Sequence, residues 1–284
     1  MKKIKYIALF TCFAALFVSC DKIESDNYIV FSGAVGQWYD GNGVADKTQR
    51  AILEKYTGVR CVNCPTADSA IAVAVDQYGH RLIALSIHDS SSFTLPYNDN
   101  PRLSTPDGQA WSQFFGVRAA AVYPNAIVNR ANNGGAWDLF TPTSGINTRV
   151  DNIVNQPAKI AVAASASKQS EGVSITVDIE LLQNIADDLT LTLLIMEDGI
   201  NATQLMPDGT RNTEYIHNHV LRDVITDIWG ADIEMNGTNG EKRMATFLYS
   251  EYDQQWNLDN CHIVAMISNK ETREILNVAE CGIE

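Results

Sequence analysis

The chain has 284 residues, long enough for two domains with separate cores, and 45% of them are hydrophobic and 19% charged, an ordinary composition for a globular protein. Its formal net charge is −13, so it does not have the positive balance with which proteins bind the phosphates of nucleic acids. We therefore predict that nucleic acid is not a partner.

The N-terminal residues have the pattern of a bacterial lipoprotein signal. Three lysines precede an apolar run at 6–18, which is too short to form a stable membrane-spanning helix. The sequence LFVSC at 16–20 resembles a lipobox, whereas an ordinary secretory signal has no need of a cysteine there. We predict a signal peptide at 1–19, acylation of Cys20, which attaches the protein to a lipid bilayer, and a polar tether within 20–47.

Export has consequences for charge and for the remaining cysteines. Removing the signal peptide deletes three lysines and no acidic residue, so 18 basic and 34 acidic residues remain and the net charge becomes −16. That charge disfavours docking to anionic headgroups, and the lipid must supply the membrane attachment. An exported chain meets an oxidising compartment. The cysteines that follow Cys20 are Cys61, Cys64, Cys261 and Cys281.

The region 48–156 has the pattern of an α/β domain. Residues 50–57 predict a strand, apolar residues at three- and four-residue spacing over 67–78 predict a helix, and the apolar run at 82–88 predicts a second strand buried on both faces. A strand–helix–strand unit makes the two strands parallel, so their carboxyl ends meet at one edge of the sheet. Open α/β sheets hold their functional sites at that edge.

A C-x-x-C motif stands at the start of the predicted helix. Cys61 is the candidate attacking sulfur and Cys64 the candidate resolving sulfur, since backbone N–H groups at a helix N-terminus and the neighbouring Arg60 favour a thiolate. His88, at the end of the second strand, is expected at the same edge. The alternatives are a structural disulfide, or a metal site, for which zinc needs four ligands and only His88 is an evident third.

Further along this region, 107–115 predicts a second helix and 143–156 a closing helix. Between them, Pro124 directly precedes an apolar strand.

In the region 157–284, apolar residues recur at every second position, as in β-strands. Regular short strands separated by turn signals predict an antiparallel β-sandwich, immunoglobulin-like in outline. The predicted strands are Lys159–Ala166, Val173–Leu181, Leu189–Glu197, Val220–Ile228, Arg243–Tyr249, Cys261–Ser268 and Glu274–Cys281.

Two features of this second region concern chemistry. A hairpin centred on Glu271 places Cys261 opposite Cys281, and cross-strand partners are close enough for a disulfide, which we predict. His217 and His219 would lie on one face of an extended segment. They are either two metal ligands or ordinary strand residues, and with no third ligand evident we predict no metal site.

The order of strand, C-x-x-C, helix, strand and later proline resembles the thioredoxin fold. That resemblance implies a cis peptide bond before Pro124, which lies against the dithiol in that fold. It also makes Glu54 a candidate for the buried acidic residue that relays the proton of the dithiol, although that residue usually lies six positions before the first cysteine and Glu54 lies seven before. The sequence departs from the fold's usual motif in having Arg60 before the cysteines and Val62–Asn63 between them.

A narrower resemblance concerns the sequences LEKYTGVRCVNCP at 53–65, SIH at 86–88, YPNAIVNR at 123–130 and YIHNHVLR at 215–222. These resemble the family of Bacteroidetes outer-membrane lipoproteins named for a twenty-eight-kilodalton outer-membrane protein. The resemblance implies a lipid-anchored protein of the outer membrane.

Two functions are consistent with these features. The first is thiol–disulfide exchange on exported proteins by a thioredoxin-like oxidoreductase whose sandwich docks the protein partner. The second is a non-enzymatic surface lipoprotein that binds a protein or glycan and carries a structural C-x-x-C disulfide. Neither requires a cofactor, and we predict none.

Overall fold

The computed structural model describes residues 36–89, 92–98, 100–120 and 122–284. The predicted signal peptide, Cys20 and the first part of the predicted tether lie outside these residues. The strands and helices in chain order are β1 (Gln37–Asp40), β2 (Ala51–Thr57), α1 (Cys64–Tyr78), β3 (Leu82–His88), α2 (Pro106–Phe114), α3 (Val117–Ala120), β4 (Asn125–Val128), β5 (Asn132–Asn133), β6 (Ala136–Trp137), α4 (Ile146–Val154), β7 (Ile160–Gln169), β8 (Gly172–Leu181), β9 (Leu189–Glu197), β10 (Ile200–Asn201), β11 (Gln204–Leu205), β12 (Arg211–Asn212), β13 (Ile216–His217), β14 (Val220–Val224), β15 (Ala231–Ile233), β16 (Lys242–Tyr249), β17 (Cys261–Asn269) and β18 (Ile275–Gly282).

Two sheets organise the described part of the chain. One has four strands in the order β1-β16-β8-β7, and the other has eight, in the order β18-β17-β9-β14-β3-β2-β4 with β15 paired to β9. The pairs β5–β6, β10–β13 and β11–β12 are short two-stranded ribbons. The fold is therefore a mixed α/β structure in which antiparallel pairing predominates.

The predicted strand–helix–strand unit is confirmed. The strands β2 and β3 are parallel, with Thr57 opposite His88, and α1 connects them. Pro65 occupies the first turn of α1, where its missing N–H is not needed, and Gly79 ends the helix at a φ of 55°. The strand β4 pairs antiparallel with β2, and the peptide bond between Tyr123 and Pro124 is cis, as the resemblance implied.

Side chains alternate between the two faces of β2 and β3, and each face has its own core. Leu53 and Ala84 pack with Ile71 of α1 and with α4 on one face. Ile52 and Leu85 pack with α2 on the other face. Both strands are buried along their whole length, as expected for a sheet covered on both sides.

The C-terminal strands form two packed antiparallel sheets. The seven predicted strands are all present, and the inward side chains of β7, β8 and β16 pack against those of β9, β17 and β18 in one aliphatic core. A parallel bridge between Ala166 and Ile283 joins the two sheets at one side. No helix among the described residues is long and apolar enough to cross a membrane.

Two strand pairings concern the predicted tether at 20–47 and the predicted boundary at 156. Part of the tether is the strand β1, which pairs with β16 and packs Trp38 against the sandwich core. The strand β14 continues the sandwich sheet into the α/β sheet by pairing with β3, where the Ser86 N–H donates to the His219 carbonyl oxygen at 2.7 Å. An unpaired sheet edge is thereby covered. The described residues belong to one compact unit, and the division near residue 156 stays a prediction.

The predicted disulfide between Cys261 and Cys281 is wrong. Both are free thiols, and Ile263 is the residue opposite Cys281. The centre of the turn lies between residues 271 and 272, half a residue later than the predicted centre at Glu271. A β-bulge between Ile267 and Ser268 adds a further residue to one strand. The register therefore moves by two residues, which places the two thiols diagonally on the same face.

Candidate functional site

The dithiol lies at the edge of the sheet where β2 and β3 end. Cys61 and Cys64 form a disulfide across the turn that leads into α1, and Cys64 is the first residue of that helix. The turn is closed by the Cys61 N–H donating to the Gly58 carbonyl oxygen at 3.0 Å. His88 ends β3 at this edge, and Pro124 precedes β4 beside the end of β2. The dithiol, His88 and Pro124 thus lie at the same edge of the sheet.

A segment from the C-terminal half covers the dithiol. We call residues 200–219, which include β10 to β13, the cover segment. Gln204 Nε2 donates to the Cys61 carbonyl oxygen at 3.1 Å, and the Leu205 N–H donates to the Val59 carbonyl oxygen at 2.8 Å. Only 2% of Cys61 and 0% of Cys64 is exposed to solvent. The disulfide is therefore closed off from large partners in this conformation.

The Arg60 side chain contacts the loop at 95–97. Its Nε donates to the Leu95 carbonyl oxygen at 2.6 Å, its Nη2 donates to the Pro96 carbonyl oxygen at 3.0 Å, and its guanidinium lies 4.2 Å from the centre of the Tyr97 ring. These contacts bind the guanidinium to the neighbouring loop and hold that loop beside the turn that carries Cys61.

Glu54 does not occupy the position predicted for a proton relay. It lies on the face of β2 that carries Ile52, whereas α1 covers the opposite face, which carries Leu53. Glu54 forms a fully buried ion pair with Arg130, with Nη2 to Oε1 at 2.8 Å and Nε to Oε2 at 3.0 Å. The Arg130 guanidinium also lies 4.5 Å from the centre of the Trp111 ring. Strand alternation therefore separates Glu54 from the helix that carries Cys64.

Lys55 is the charged residue on the α1 face, and sequence reasoning missed it. Its ammonium forms an ion pair with Asp68 of α1, and Tyr215 Oη of the cover segment donates to the other carboxylate oxygen of Asp68 at 2.8 Å. Burial lowers the pKa of Lys55 to about 7. The available signal was its position six residues before Cys61, inside a strand that is otherwise mostly apolar.

A cavity of about 260 Å³ lies between α1, β3 and the cover segment. Its polar lining includes Lys55, Asp68, His88, Tyr215 and His217. His88 is almost completely buried, neither of its ring nitrogens has a hydrogen-bond partner among the described residues, and its ring centre is 5.6 Å from that of His217.

The two imidazoles of this cavity are neutral near pH 7. Burial and the nearby His217 lower the pKa of His88 well below its ordinary value. Burial lowers the pKa of His217 to about 4, although its Nε2 lies 3.1 Å from the Ala202 carbonyl oxygen. His88 is therefore a neutral donor and acceptor at the edge of the site, not a charged one.

The segment that carries His217 and His219 is not fully extended. His219 has a φ of 58°, which turns the chain, and its Nδ1 lies 3.3 Å from Asp198 Oδ1. Within the described ranges no group of three or more histidine, cysteine, aspartate or glutamate residues is arranged to hold a metal ion.

Residues 110–284, more than half of the chain, match the family model described as outer membrane protein Omp28. The chain belongs to the Omp28 family. Its location is the outer membrane, as the family description states. The matched residues begin downstream of the dithiol, so the Omp28 match covers Pro124 and the sandwich but not Cys61 or Cys64. No curated protein sequence matches the chain.

Two of the solved structures that match this Omp28 protein resemble it in fold. HBP35 of Porphyromonas gingivalis is 18% identical, with a TM-score of 0.60 over 84% of this chain and 77% of that one. A protein from Agrobacterium tumefaciens is also 18% identical, with a TM-score of 0.50 over 83% and 95% of the two chains. A domain of the outer membrane lipoprotein Omp28 from Porphyromonas gingivalis is 22% identical, covering 45% and 91%, with a TM-score of 0.32.

Proposed function

We propose that this protein performs thiol–disulfide exchange on exported proteins through Cys61 and Cys64. The observation that carries the proposal is the disulfide itself, which spans the start of α1 at the sheet edge shared with cis-Pro124. A thiolate at a helix N-terminus is stabilised by the free backbone N–H groups there. Cys61 then attacks a substrate disulfide, and Cys64 releases the product by closing the ring again.

The arrangement of strands supports a thioredoxin-like region within this fold. The strands β3, β2 and β4 are neighbours, β2 and β3 are parallel, and α1 crosses between them. The orders β7-β8-β16 and β18-β17-β9-β14 likewise support an immunoglobulin-like sandwich, in which strands A, B and E face strands G, F, C and C′. In this proposal the sandwich docks the partner protein, and the cover segment moves aside to admit it.

The lipid anchor is part of the same proposal. Acylation of Cys20 would attach the chain to the bilayer, and fewer than twenty residues would then separate the anchor from β1. A tether of that length keeps the dithiol close to the membrane surface.

A second candidate function is favoured by one observation, the burial of both cysteines. With 2% and 0% of Cys61 and Cys64 exposed, the disulfide has the surroundings of a structural bond. The protein would then be a non-enzymatic surface lipoprotein, in which the α/β region supports a sandwich that binds a protein or glycan.

A redox titration of the purified protein distinguishes the two functions. A Cys61/Cys64 potential within about −270 to −120 mV, the range of known exchange proteins, supports exchange, whereas one below about −300 mV supports a structural bond. In the cell envelope, Cys64→Ser should trap mixed disulfides on Cys61, because the resolving sulfur is absent. Cys281→Ser is the control and should trap nothing, and a Cys64→Ser variant that also traps nothing contradicts the exchange function.

A further inference from the structure

The side chain of Lys55 lies in the same layer as Cys64. The buried stripe of α1 consists of Cys64, Ala67, Ile71 and Ala74, and the last two pack against Leu53 on the α1 face of β2. Lys55 follows Leu53 by two residues and so shares that face. Its ammonium pairs with Asp68, which lies one helical turn after Cys64. The amine is therefore held against Asp68 of α1, one helical turn from Cys64.

The groups facing Lys55 come from three elements. They are Asp68 of α1, His88 of β3, and Tyr215, His217 and His219 of the cover segment. Burial lowers the pKa values of all three imidazoles, and it raises the pKa of Tyr215. These four groups are therefore neutral near pH 7.

Lys55 is the group of this cluster that titrates near neutral pH. Burial lowers its pKa to about 7, while the Asp68 carboxylate acts in the opposite direction because a negative neighbour favours the ammonium. An amine that is subject to both burial and a carboxylate neighbour exchanges a proton readily near neutral pH, where thiol–disulfide exchange takes place.

We propose that Lys55 accepts the thiol proton of Cys64 when Cys64 resolves a mixed disulfide on Cys61, and that Asp68 then holds the ammonium. This inference rests on the exchange function proposed above. The proton moves from Cys64 Sγ to Lys55 Nζ, and the Cys64 thiolate attacks Cys61 Sγ. A sulfur–sulfur bond forms between Cys61 and Cys64, while the bond from Cys61 to the substrate breaks and its electron pair leaves with the substrate thiolate. The dithiol is oxidised by two electrons and the substrate sulfur is reduced.

The burial of Cys64 is the reason that such a base is needed. Cys64 has no exposed surface, and a buried thiol loses its proton less readily than an exposed one. A positioned base contributes about 10²–10⁴-fold to a rate that depends on proton transfer. Glu54, the carboxylate next to Lys55 in the sequence, is paired with Arg130 on the other face of β2 and cannot serve.

The test uses the reduced, full-length folded chain with Cys12→Ser and Cys20→Ser, which removes the two other thiols. Dithiobis(nitrobenzoate) is the substrate disulfide, and the reaction is followed by stopped-flow absorbance. Attack by Cys61 releases one thionitrobenzoate, and resolution by Cys64 releases a second. Burial raises the pKa values of Cys261 and Cys281 to about 12 and about 11, so these thiols react in a separate, much slower phase.

In Lys55→Met, resolution at pH 7.5 should slow by about 100-fold, and its pH midpoint should move upwards towards that of an unassisted thiol. Lys55→Arg should be equally slow, because a guanidinium keeps its proton at these pH values. The matched control is Lys270→Met, which removes a lysine from an exposed ion pair with Asp232 and should leave both phases unchanged. A wild-type rate and pH midpoint in Lys55→Met, or a wild-type rate in Lys55→Arg, overturns the inference.

Asp68→Asn keeps the inference testable if both Lys55 variants fail to fold, because Asp68 is partly exposed. Loss of the carboxylate should move the pH midpoint of resolution downwards, since the ammonium loses its partner, and an unchanged midpoint overturns the inference. The two phases also separate this inference from the exchange function. If the wild-type protein shows no first phase, exchange itself fails; if it completes both phases regardless of Lys55 and Asp68, only the role of Lys55 fails.

Discussion

At the scale of residues, the two consecutive charged positions of β2 have different roles. Glu54 faces the core with α2 and pairs with Arg130, whereas Lys55 faces α1 and pairs with Asp68. The sequence predicts the strand β2 well. Because both faces of β2 are buried, its residues do not alternate between polar and apolar, and the sequence does not show which face meets the helix α1. Only the spacing to Cys61 distinguishes the two positions.

The buried pair of Glu54 and Arg130 leads to a prediction about stability. Glu54→Leu should lower the free energy of unfolding by about 3–5 kcal/mol, because it leaves the Arg130 charge buried without a partner. Adding Arg130→Met should recover most of that loss, since an apolar pair fits the site without a desolvation cost. Urea denaturation followed by far-ultraviolet circular dichroism measures both.

The matched control for this pair is an exposed one. Lys168→Met removes a lysine that pairs with Asp259 at the surface and should change the stability by less than about 1 kcal/mol. A similarly small change in Glu54→Leu would show that the Arg130 charge finds another partner.

At the scale of elements, prediction from sequence succeeds where the periodicity is regular. The helix α1 and the strands β2, β3 and β17 were predicted within two or three residues, because a long apolar period identifies each of them. The predicted register between β17 and β18 failed because the position of the turn and a bulge each shift the pairing by one residue, and no local pattern indicates either.

The cover segment was also not predicted, for a different reason. Its strands are only two residues long, and its contacts with the turn that carries Cys61 join positions more than 140 residues apart in the chain. Nothing in the local sequence of 200–219 encodes such a contact. The accessibility of the dithiol is thus a property of tertiary structure that the C-x-x-C motif does not reveal.

The cover segment leads to a prediction about access to the disulfide. Gln204→Ala should speed reduction of the Cys61–Cys64 bond by dithiothreitol by about 10-fold, because the lost hydrogen bonds lower the cost of local opening by about 1–2 kcal/mol. Thiol labelling of quenched samples followed by mass spectrometry measures the rate. Gln169→Ala, which changes an exposed glutamine on β7, should leave the rate unchanged. Equal rates in all three proteins would mean that the reductant reaches the sulfurs without movement of the cover segment.

At the scale of the whole molecule, buried amides tie the sandwich to the α/β region. Asn277 of β18 is fully buried; it accepts from the Arg50 N–H at 3.0 Å and donates to the Ile160 carbonyl oxygen at 2.7 Å. Asn129 accepts from the Ile52 N–H and donates to the Ile275 carbonyl oxygen, both at 2.8 Å. The spacing of apolar residues correctly predicted an α/β part followed by a β part. It did not predict these hydrogen bonds or the pairing of β3 with β14, which join the two parts.

We therefore predict that the described fold unfolds in one step. In urea, pulse labelling of Cys261 in the sandwich core and hydrogen exchange of peptides from β2 and β3 should report the same midpoint, since one continuous sheet contains all three strands. Asn277→Ala should lower both midpoints together, because it leaves buried donors and acceptors of both parts unsatisfied, at about 1–3 kcal/mol each. An exposed change, Asn212→Ala, should move neither. Separate midpoints, with one part unfolding before the other, would show that the shared sheet does not couple the two cores and that the boundary near residue 156 is a thermodynamic one.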